Sequence, residues 1–406
     1  MDIEIRPIEP AEFEELMRVS SLAFGHEPIK EEVQAERLVF EIDRSLAAFD
    51  GTAMAGETMV ASFQLSVPGA ILPAAGVTSV AVAPTHRRRG VMTALTRRQL
   101  SDSRDRGEPL SALYASEAAI YGRFGYGLAS FKTELEIERA HTAFSDMELE
   151  PRSIRVISKE EALGQYPAVF ESVRPHRPGF HDRNQAWWKY TFQELERDRE
   201  GFNRYLYTLS EGPEGADGYL VYRTKQDWSQ GFANGTADVV EMVTANTNAY
   251  AALWRYCFDL DLMARTTAWL RPVDEPLFHM LAEPRRLRFK VEDGLWVRLV
   301  DVPATLAGRR YMAEGKTVLE VKDSFCPWNE GRFELVGGPD GSECRATDAE
   351  PDLVLTAADL AAVYLGGVRF AALRQAGRII ENKPGAVRRA DTMFAWDPAP
   401  WCPDMF

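Results

Sequence analysis

Residues 77–106 read VTSVAVAPTHRRRGVMTALTRRQLSDSRDR, and the fold is decided there. Val77, Val80 and Val82 form a short, β-branched, apolar run that predicts a buried strand. Pro84 ends it, because proline cannot donate to a ladder. A basic turn follows, His86-Arg87-Arg88-Arg89-Gly90, and then a helix with Val91, Ala94 and Leu95 on one side and Arg97, Arg98 and Arg104 elsewhere. A strand that feeds a helix through a glycine-bearing turn leaves backbone N–H groups unpaired at the helix start. Those groups and the helix dipole favour an anion, and three arginines beside them make a diphosphate the expected ligand.

Outward from this stretch, the 406 residues are 45% hydrophobic, enough for a large core divided into two or three domains. The formal net charge of −14 disfavours nucleic acid as a partner and suits cationic ligands. Cys257, Cys326, Cys344 and Cys402 show no CxxC or zinc spacing, and the histidines show no metal pattern, so no metal and a reduced, cytoplasmic setting are expected. The start, MDIEIRPIEP, reads as a charged strand and not as a signal peptide. No apolar run approaches the ~20 residues that span a bilayer, so no membrane partner is expected.

The chain divides into three expected regions. The first, 1–150, has strands at Ile3–Ile8, Leu46–Phe49, Thr58–Val67, Val77–Val82, Pro109–Ser116 and Phe131–Glu138, with helices from Pro10 and over Lys30–Ile42. The second, 151–292, repeats this order faintly, with strands at Gly218–Arg223, Ala237–Val243 and Thr266–Leu270 and a helix over Ala249–Met263. Its counterpart of the basic turn is Thr244-Ala245-Asn246-Thr247, which predicts a scaffold that has lost its anion site. Trp187-Trp188-Lys189-Tyr190 reads as core or as a subunit contact. The third region, 293–406, is a small α+β unit with hairpin strands at Val318–Val321 and Arg332–Leu335, another strand at Leu353–Leu355, and helices at Ala357–Tyr364 and Phe370–Gln375.

The run Val80-Ala81-Val82-Ala83-Pro84-Thr85-His86-Arg87-Arg88-Arg89-Gly90-Val91-Met92 resembles the acetyl-CoA signature of the GNAT superfamily of N-acetyltransferases. A second run, Ala115-Ser116-Glu117-Ala118-Ala119-Ile120-Tyr121-Gly122-Arg123-Phe124-Gly125-Tyr126-Gly127, sharpens this to a close resemblance to the Eis (enhanced intracellular survival) family, in which a bulky residue at the Met92 position is usual. That resemblance implies an α/β (α+β) chain of two GNAT-type mixed-sheet domains, the second degenerate, plus a smaller sterol-carrier-protein-like domain at the C-terminal end.

The resemblance also implies roles. Val80, Ala81 and Val82 would pair with the pantetheine arm of acetyl-CoA where the sheet splays open. Arg87, Arg88, Arg89, Gly90, Val91, Met92 and Thr93 would hold the pyrophosphate, and Ser116 and Glu117 would end the facing strand. Tyr121 matches the family's general acid, which protonates the leaving thiolate; Tyr126 is a rival that the residues alone do not exclude. The general base is implied to be the C-terminal carboxylate of Phe406. Members of the family can carry an acidic residue just before that Phe to hold cationic substrates; here Met405 has that place and Asp404 is one step earlier. His86 reads as a solvated turn residue. The implied reaction is acetyl transfer from acetyl-CoA, by direct attack in a ternary complex, to amines of polyamine-like compounds such as aminoglycosides. The implied assembly is a hexamer, a trimer of dimers. Two rivals stand beside it: a protein lysine acetyltransferase, and a non-catalytic acyl-CoA or lipid-binding protein.

Overall fold

A computed structural model describes residues 3–229 and 231–406. In chain order the first elements are β1 (Ile3–Pro7), α1 (Phe13–Ala23), α2 (Lys30–Val39), β2 (Leu46–Asp50), β3 (Ala53–Val67), β4 (Ala70–Val82), α3 (Val91–Asp105), β5 (Leu110–Tyr114), α4 (Ala118–Tyr121), β6 (Gly127–Leu128) and β7 (Phe131–Glu138). Next come β8 (Ser153–Ile157), α5 (Lys159–Val173), α6 (Gln185–Thr191), β9 (Leu206–Gly212), β10 (Gly215–Lys225), β11 (Gly235–Thr244), α7 (Thr247–Phe258), β12 (Met263–Arg271), α8 (Leu277–Met280), β13 (Arg288–Asp293) and β14 (Leu295–Leu299). The last are α9 (Val302–Ala307), β15 (Gly315–Lys322), β16 (Gly331–Gly337), β17 (Ser342–Ala346), β18 (Leu353–Thr356), α10 (Ala357–Tyr364), α11 (Phe370–Gln375), β19 (Ile380–Glu381) and α12 (Ala386–Phe394).

These strands form three mixed sheets, ordered β1-β2-β3-β4-β5-β14-β6, β13-β7-β12-β11-β10-β9-β8 and β17-β16-β15-β18-β19. The first two exchange strands across the expected regions. β7, expected with the first sheet, lies in the second, between β13 and β12, whereas β14 enters the first beside β5. The reason is chain economy: Gly294 alone separates β13 from β14, so one hairpin-like crossing closes both sheets.

The expected elements are present with adjusted ends. β3 and β4 run longer than expected, because Ala70–Val82 stays paired with Gly56–Val67 along nearly its whole length. α7 stops at Phe258, not Met263, where the Asp259 N–H folds back on the Arg255 carbonyl and Leu262 turns to φ 68°. The third unit also has β17, β19 and α12, which the pattern did not yield. Its core is continuous with that of the first sheet: Leu65, Leu110 and Val297 pack in one cluster with Leu319, Leu360 and Phe394. Among the described residues no helix is long and apolar enough to cross a membrane.

Candidate active site

Parallel strands β4 and β5 pair only over Ala74–Gly76 and Leu110–Ala112. Beyond that point β4 continues to Val82 along β3, and β5 continues to Tyr114 along β14. The two strands therefore part in a fork, leaving the facing backbone groups of Val77–Val82 unpaired. Gly76 marks the fork: a Cβ there would meet the Phe63 ring at 2.1 Å, so only glycine lets that ring lie against the strand.

At the outer end of the fork the basic turn leads into α3. Gly90 stands at the helix start with φ 85°, and Arg88 is also left-handed, φ 61°. No side chain caps α3, and its hydrogen-bond ladder begins only where the Ala94 N–H donates to Gly90 O at 3.0 Å. The preceding N–H groups of Val91, Met92 and Thr93 thus present a positive helix end beside exposed arginines, a donor set that fits a diphosphate. Arg87 turns inward instead, donating to Ala23 O at 2.7 Å and bracing the turn against α1. His86 is held by Thr85 at 2.8 Å and lies 3.4 Å from Asp50.

Tyr121 lies at the end of α4, buried in a cluster that includes Val60, Val77, Leu113 and the partly buried Val80 and Met92, which line both prongs of the fork. Burial pushes the phenol's pKa above its ordinary value; a Ser116 hydrogen bond opposes this, and the nearby carboxyls of Glu57 and Glu117 add to it. Tyr126, the rival acid, stacks edge-on with Tyr121 at 6.0 Å. It is fully enclosed, its hydroxyl held 2.7 Å from Ser111 Oγ, a packed position away from the cleft.

The far end of the chain arrives at the same place. Phe406 packs edge-on against Phe63 (4.9 Å), His181 (5.4 Å) and Tyr114 (5.8 Å). With Val60, Ala61 and Thr78 it lines a recess between β3, β4 and α2. The Tyr114 hydroxyl donates to Cys402 O at 3.2 Å. Val60 belongs to the cluster that holds Tyr121 and also lines the Phe406 recess.

Asp404 has a different place from the one its sequence position suggested. It is buried, with its carboxylate gripped by the Arg183 guanidinium at 2.6 and 2.9 Å and by His181 Nε2 at 3.1 Å. Burial alone would raise its pKa, but Arg183 and His181 hold it well below the ordinary range. Arg183 also binds Glu241 on β11. Asp404 is thus the anchor of the tail and is not offered to a cationic substrate.

Acidic groups that border a cavity come from elsewhere, one of them, Glu32, paired with Arg197 at 2.9 Å. Glu32 and Glu36 of α2 join Trp187, Tyr190 and Trp269 around a cavity of about 330 Å³ that reaches Pro403–Met405. Glu36 also lines the Phe406 recess, and it accepts a hydrogen bond from the Tyr190 hydroxyl at 2.6 Å. Burial raises the Glu36 pKa, countered by Tyr190 and reinforced by Glu32. Trp187 and Tyr190, read from sequence as core or subunit contact, line this cavity, while Trp188 is core. Residue pairs such as Glu36–Tyr190 and Arg183–Asp404 left no local sequence signal. The only hint was the aromatic density of residues 187–190.

Residues 4–129 and 179–299 each match the model of a GNAT acetyltransferase domain, and 302–403 that of a sterol carrier protein domain. An uncharacterized N-acetyltransferase of Streptomyces avermitilis is 40% identical over 93% of this chain and 92% of its own. The N-acetyltransferase Eis of Mycobacterium tuberculosis is 36% identical, covering 86% and 84%. The crystal structure of Eis1 from Mycobacterium abscessus superposes with a TM-score of 0.87 at 32% identity over the full length of both chains.

The chain belongs to the Eis family of N-acetyltransferases. As an Eis-type enzyme it has two GNAT domains and a sterol-carrier-like domain, and the GNAT fold implies acetyl-CoA as co-substrate. The fork of β4 and β5 and the uncapped α3 lie within the first GNAT match. Among the described residues no group of His, Cys, Asp or Glu is arranged to hold a metal.

Proposed function

We propose that this Eis-family enzyme acetylates a primary amine of a polycationic small molecule, with the Phe406 carboxylate as general base and Tyr121 as general acid. What supports this reading is Val60, which shares the Tyr121 cluster and lines the Phe406 recess, and the adjoining cavity edged by Glu32 and Glu36.

Acetyl-CoA supplies an activated thioester. The open edge of Val80–Val82 suits its pantetheine amides, and the α3 start with Arg88 and Arg89 suits its diphosphate. The ammonium of the acceptor is drawn in by Glu36 and stacked by Trp187 and Tyr190. The Phe406 carboxylate takes one ammonium proton. The freed amine attacks the thioester carbonyl and forms the new C–N bond, and a peptide N–H of the β4 edge receives the developing oxyanion charge. The C–S bond then breaks as the Tyr121 hydroxyl gives its proton to the departing thiolate, and the second proton of the attacking nitrogen passes through water to the Tyr121 phenolate, which leaves a neutral amide and restores the acid. The elevated pKa of Tyr121 keeps that proton available across the neutral and mildly alkaline range.

Four free cysteines, three of them buried, support a reducing, cytoplasmic setting. The hexamer implied by family resemblance is supported by Phe289 and Val291, exposed on the edge strand β13. Light scattering should return six chain masses.

The decisive experiment is a thiol-release assay with acetyl-CoA against an amine panel: aminoglycosides, linear polyamines and a lysine peptide. Release with multi-amine compounds supports the proposal. Release with the lysine peptide alone moves the substrate class to proteins. No release with any amine overturns the reading.

A further inference from the structure

A second carboxyl lies under the fork, unused by the mechanism above. Glu57 of β3 is fully buried, and its Oε2 has no hydrogen-bond partner. Its Oε1 accepts from Ser79 Oγ at 3.3 Å, and Ser79 Oγ in turn lies 2.7 Å from Ser20 Oγ of α1. With Ser79 donating to the carboxyl, Ser20 donates to Ser79, and the three side chains form one chain of hydrogen bonds across β3, β4 and α1.

Ser79 occupies an unusual backbone position. The β3–β4 register runs Glu57↔Ala81 and Met59↔Thr78, so Thr58 faces both Ser79 and Val80. This is a β-bulge, and Ser79 sits in it with φ 49°, a conformation that a non-glycine residue enters only at a cost. Ser79 and Val80 are also partly exposed at the fork, where the reacting carbonyl would lie. Something must hold this serine in a left-handed turn, and among the described residues its hydroxyl bonds to the side chains of Glu57 and Ser20.

We infer that Glu57 is a positioning residue of the acetyl-transfer site: through the Ser79 hydroxyl it locks the left-handed bulge that aims the peptide N–H beyond it into the fork. This inference rests on the acetyltransferase reading of that fork. Burial pushes the Glu57 carboxyl well above the ordinary range, the two serines opposing it and Glu36 adding to it. A neutral carboxyl at 57 would have a use, because an ionised Glu57 holds the Tyr121 proton more tightly. The required group at 57 is therefore a neutral acceptor, which glutamine supplies as well as a carboxylic acid does.

The test compares Glu57→Gln, Glu57→Met, Ser79→Gly and the double variant Glu57→Met/Ser79→Gly in the full-length enzyme. Glu57→Met should lower kcat by roughly tenfold, with the KM for acetyl-CoA unchanged, since a misaimed N–H forfeits part of what an oxyanion donor supplies. Glu57→Gln should retain wild-type kcat. Glycine adopts φ 49° without help, so the double variant should be no slower than Ser79→Gly alone. Hydrogen exchange at residues 78–82, measured without substrate, should rise in Glu57→Met and not in Glu57→Gln. Full kcat in Glu57→Met, loss of kcat in Glu57→Gln, or additive losses in the double variant would each overturn the inference. If the wild-type enzyme releases thiol with no amine, the acetyltransferase reading fails instead, and the exchange data still decide whether Glu57 holds the bulge.

Discussion

The two GNAT domains contain the same device in opposite states. In the first, β4 and β5 part after Gly76 and Ala112, and the helix that follows the fork starts uncapped beside arginines. In the second, β11 and β12 pair in parallel from Gly235↔Met263 to Val239↔Ala268 and then also part. There the following helix α7 caps itself: Asn246 accepts the Ala249 N–H at 2.9 Å. The fork is bridged by Arg271, which donates to Met242 O at 2.8 Å and lies under the Trp401 ring. The prongs at Val240–Glu241 and Trp269–Leu270 surround Pro403–Met405. Where the first fork is left open, the second holds the chain's own tail against its prongs, with a cavity on either side. On the proposed mechanism this second fork is the dock that carries Phe406 to the first.

The comparison breaks most decisively at the tail. One glycine added after Phe406 displaces its carboxylate while leaving the first fork intact. On the proposed mechanism kcat should fall by about 10²- to 10⁴-fold, the range of a lost general base, with the Kd for acetyl-CoA by calorimetry unchanged. Turnover within twofold of wild type would remove Phe406 from the chemistry.

Tyr121→Phe should cost somewhat less, about 10²-fold in kcat, because water can partly replace the acid. Its pH profile sharpens the assignment. With the phenol held above the ordinary tyrosine range, wild-type activity should show no alkaline fall assignable to Tyr121 below about pH 10. An alkaline limb near pH 8 that vanishes in Tyr121→Phe would contradict the burial described here.

Asp404 tests the dock itself. Removing one partner of a buried ion pair costs about 3 kcal/mol, and Asp404→Ala should lower thermal stability accordingly and slow turnover by loosening Phe406. Because the folded-state pKa of Asp404 is depressed, its contribution is present above the unfolded carboxylate value, near pH 4, and is lost as pH falls toward the folded value. Tail docking, read by Trp401 fluorescence, should thus hold at pH 5 and weaken only below about pH 4. Loss already at pH 6 would argue against the Arg183–Asp404 anchor.

What could be read from sequence follows from range. The stretch 77–106 and the run 115–127 encode strand, turn, helix and Tyr121 in neighbouring residues, so periodicity and motif sufficed. The anchoring role of Asp404 could not be read because its partner Arg183 lies 221 positions away, and nothing near residue 404 announces a buried arginine. Glu36 and Tyr190, 154 apart, escaped notice for the same reason. Strand exchange between β7 and β14 was invisible because an alternating strand pattern specifies a face and not a neighbour. Glu57 fell outside the expected strand Thr58–Val67 and drew no reading; its burial follows from the longer β3, which only the structure shows.

The smallest effects separate the two helix starts. Arg88→Ala in the first turn should raise the KM for acetyl-CoA by about tenfold through loss of one charge-assisted contact, with thermal stability nearly unchanged. Asn246→Ala in the second turn should do the reverse: about 1 kcal/mol of stability is lost with the cap, and the KM for acetyl-CoA stays put. The reason lies in what each helix start faces. On the proposed reading α3 presents its N–H groups to a ligand, whereas α7 gives the Ala249 N–H to its own Asn246, beside a cavity that Trp401 helps to line. If Asn246→Ala instead raised that KM, the second fork would be contributing to cofactor binding, and the contrast between the two forks would fail.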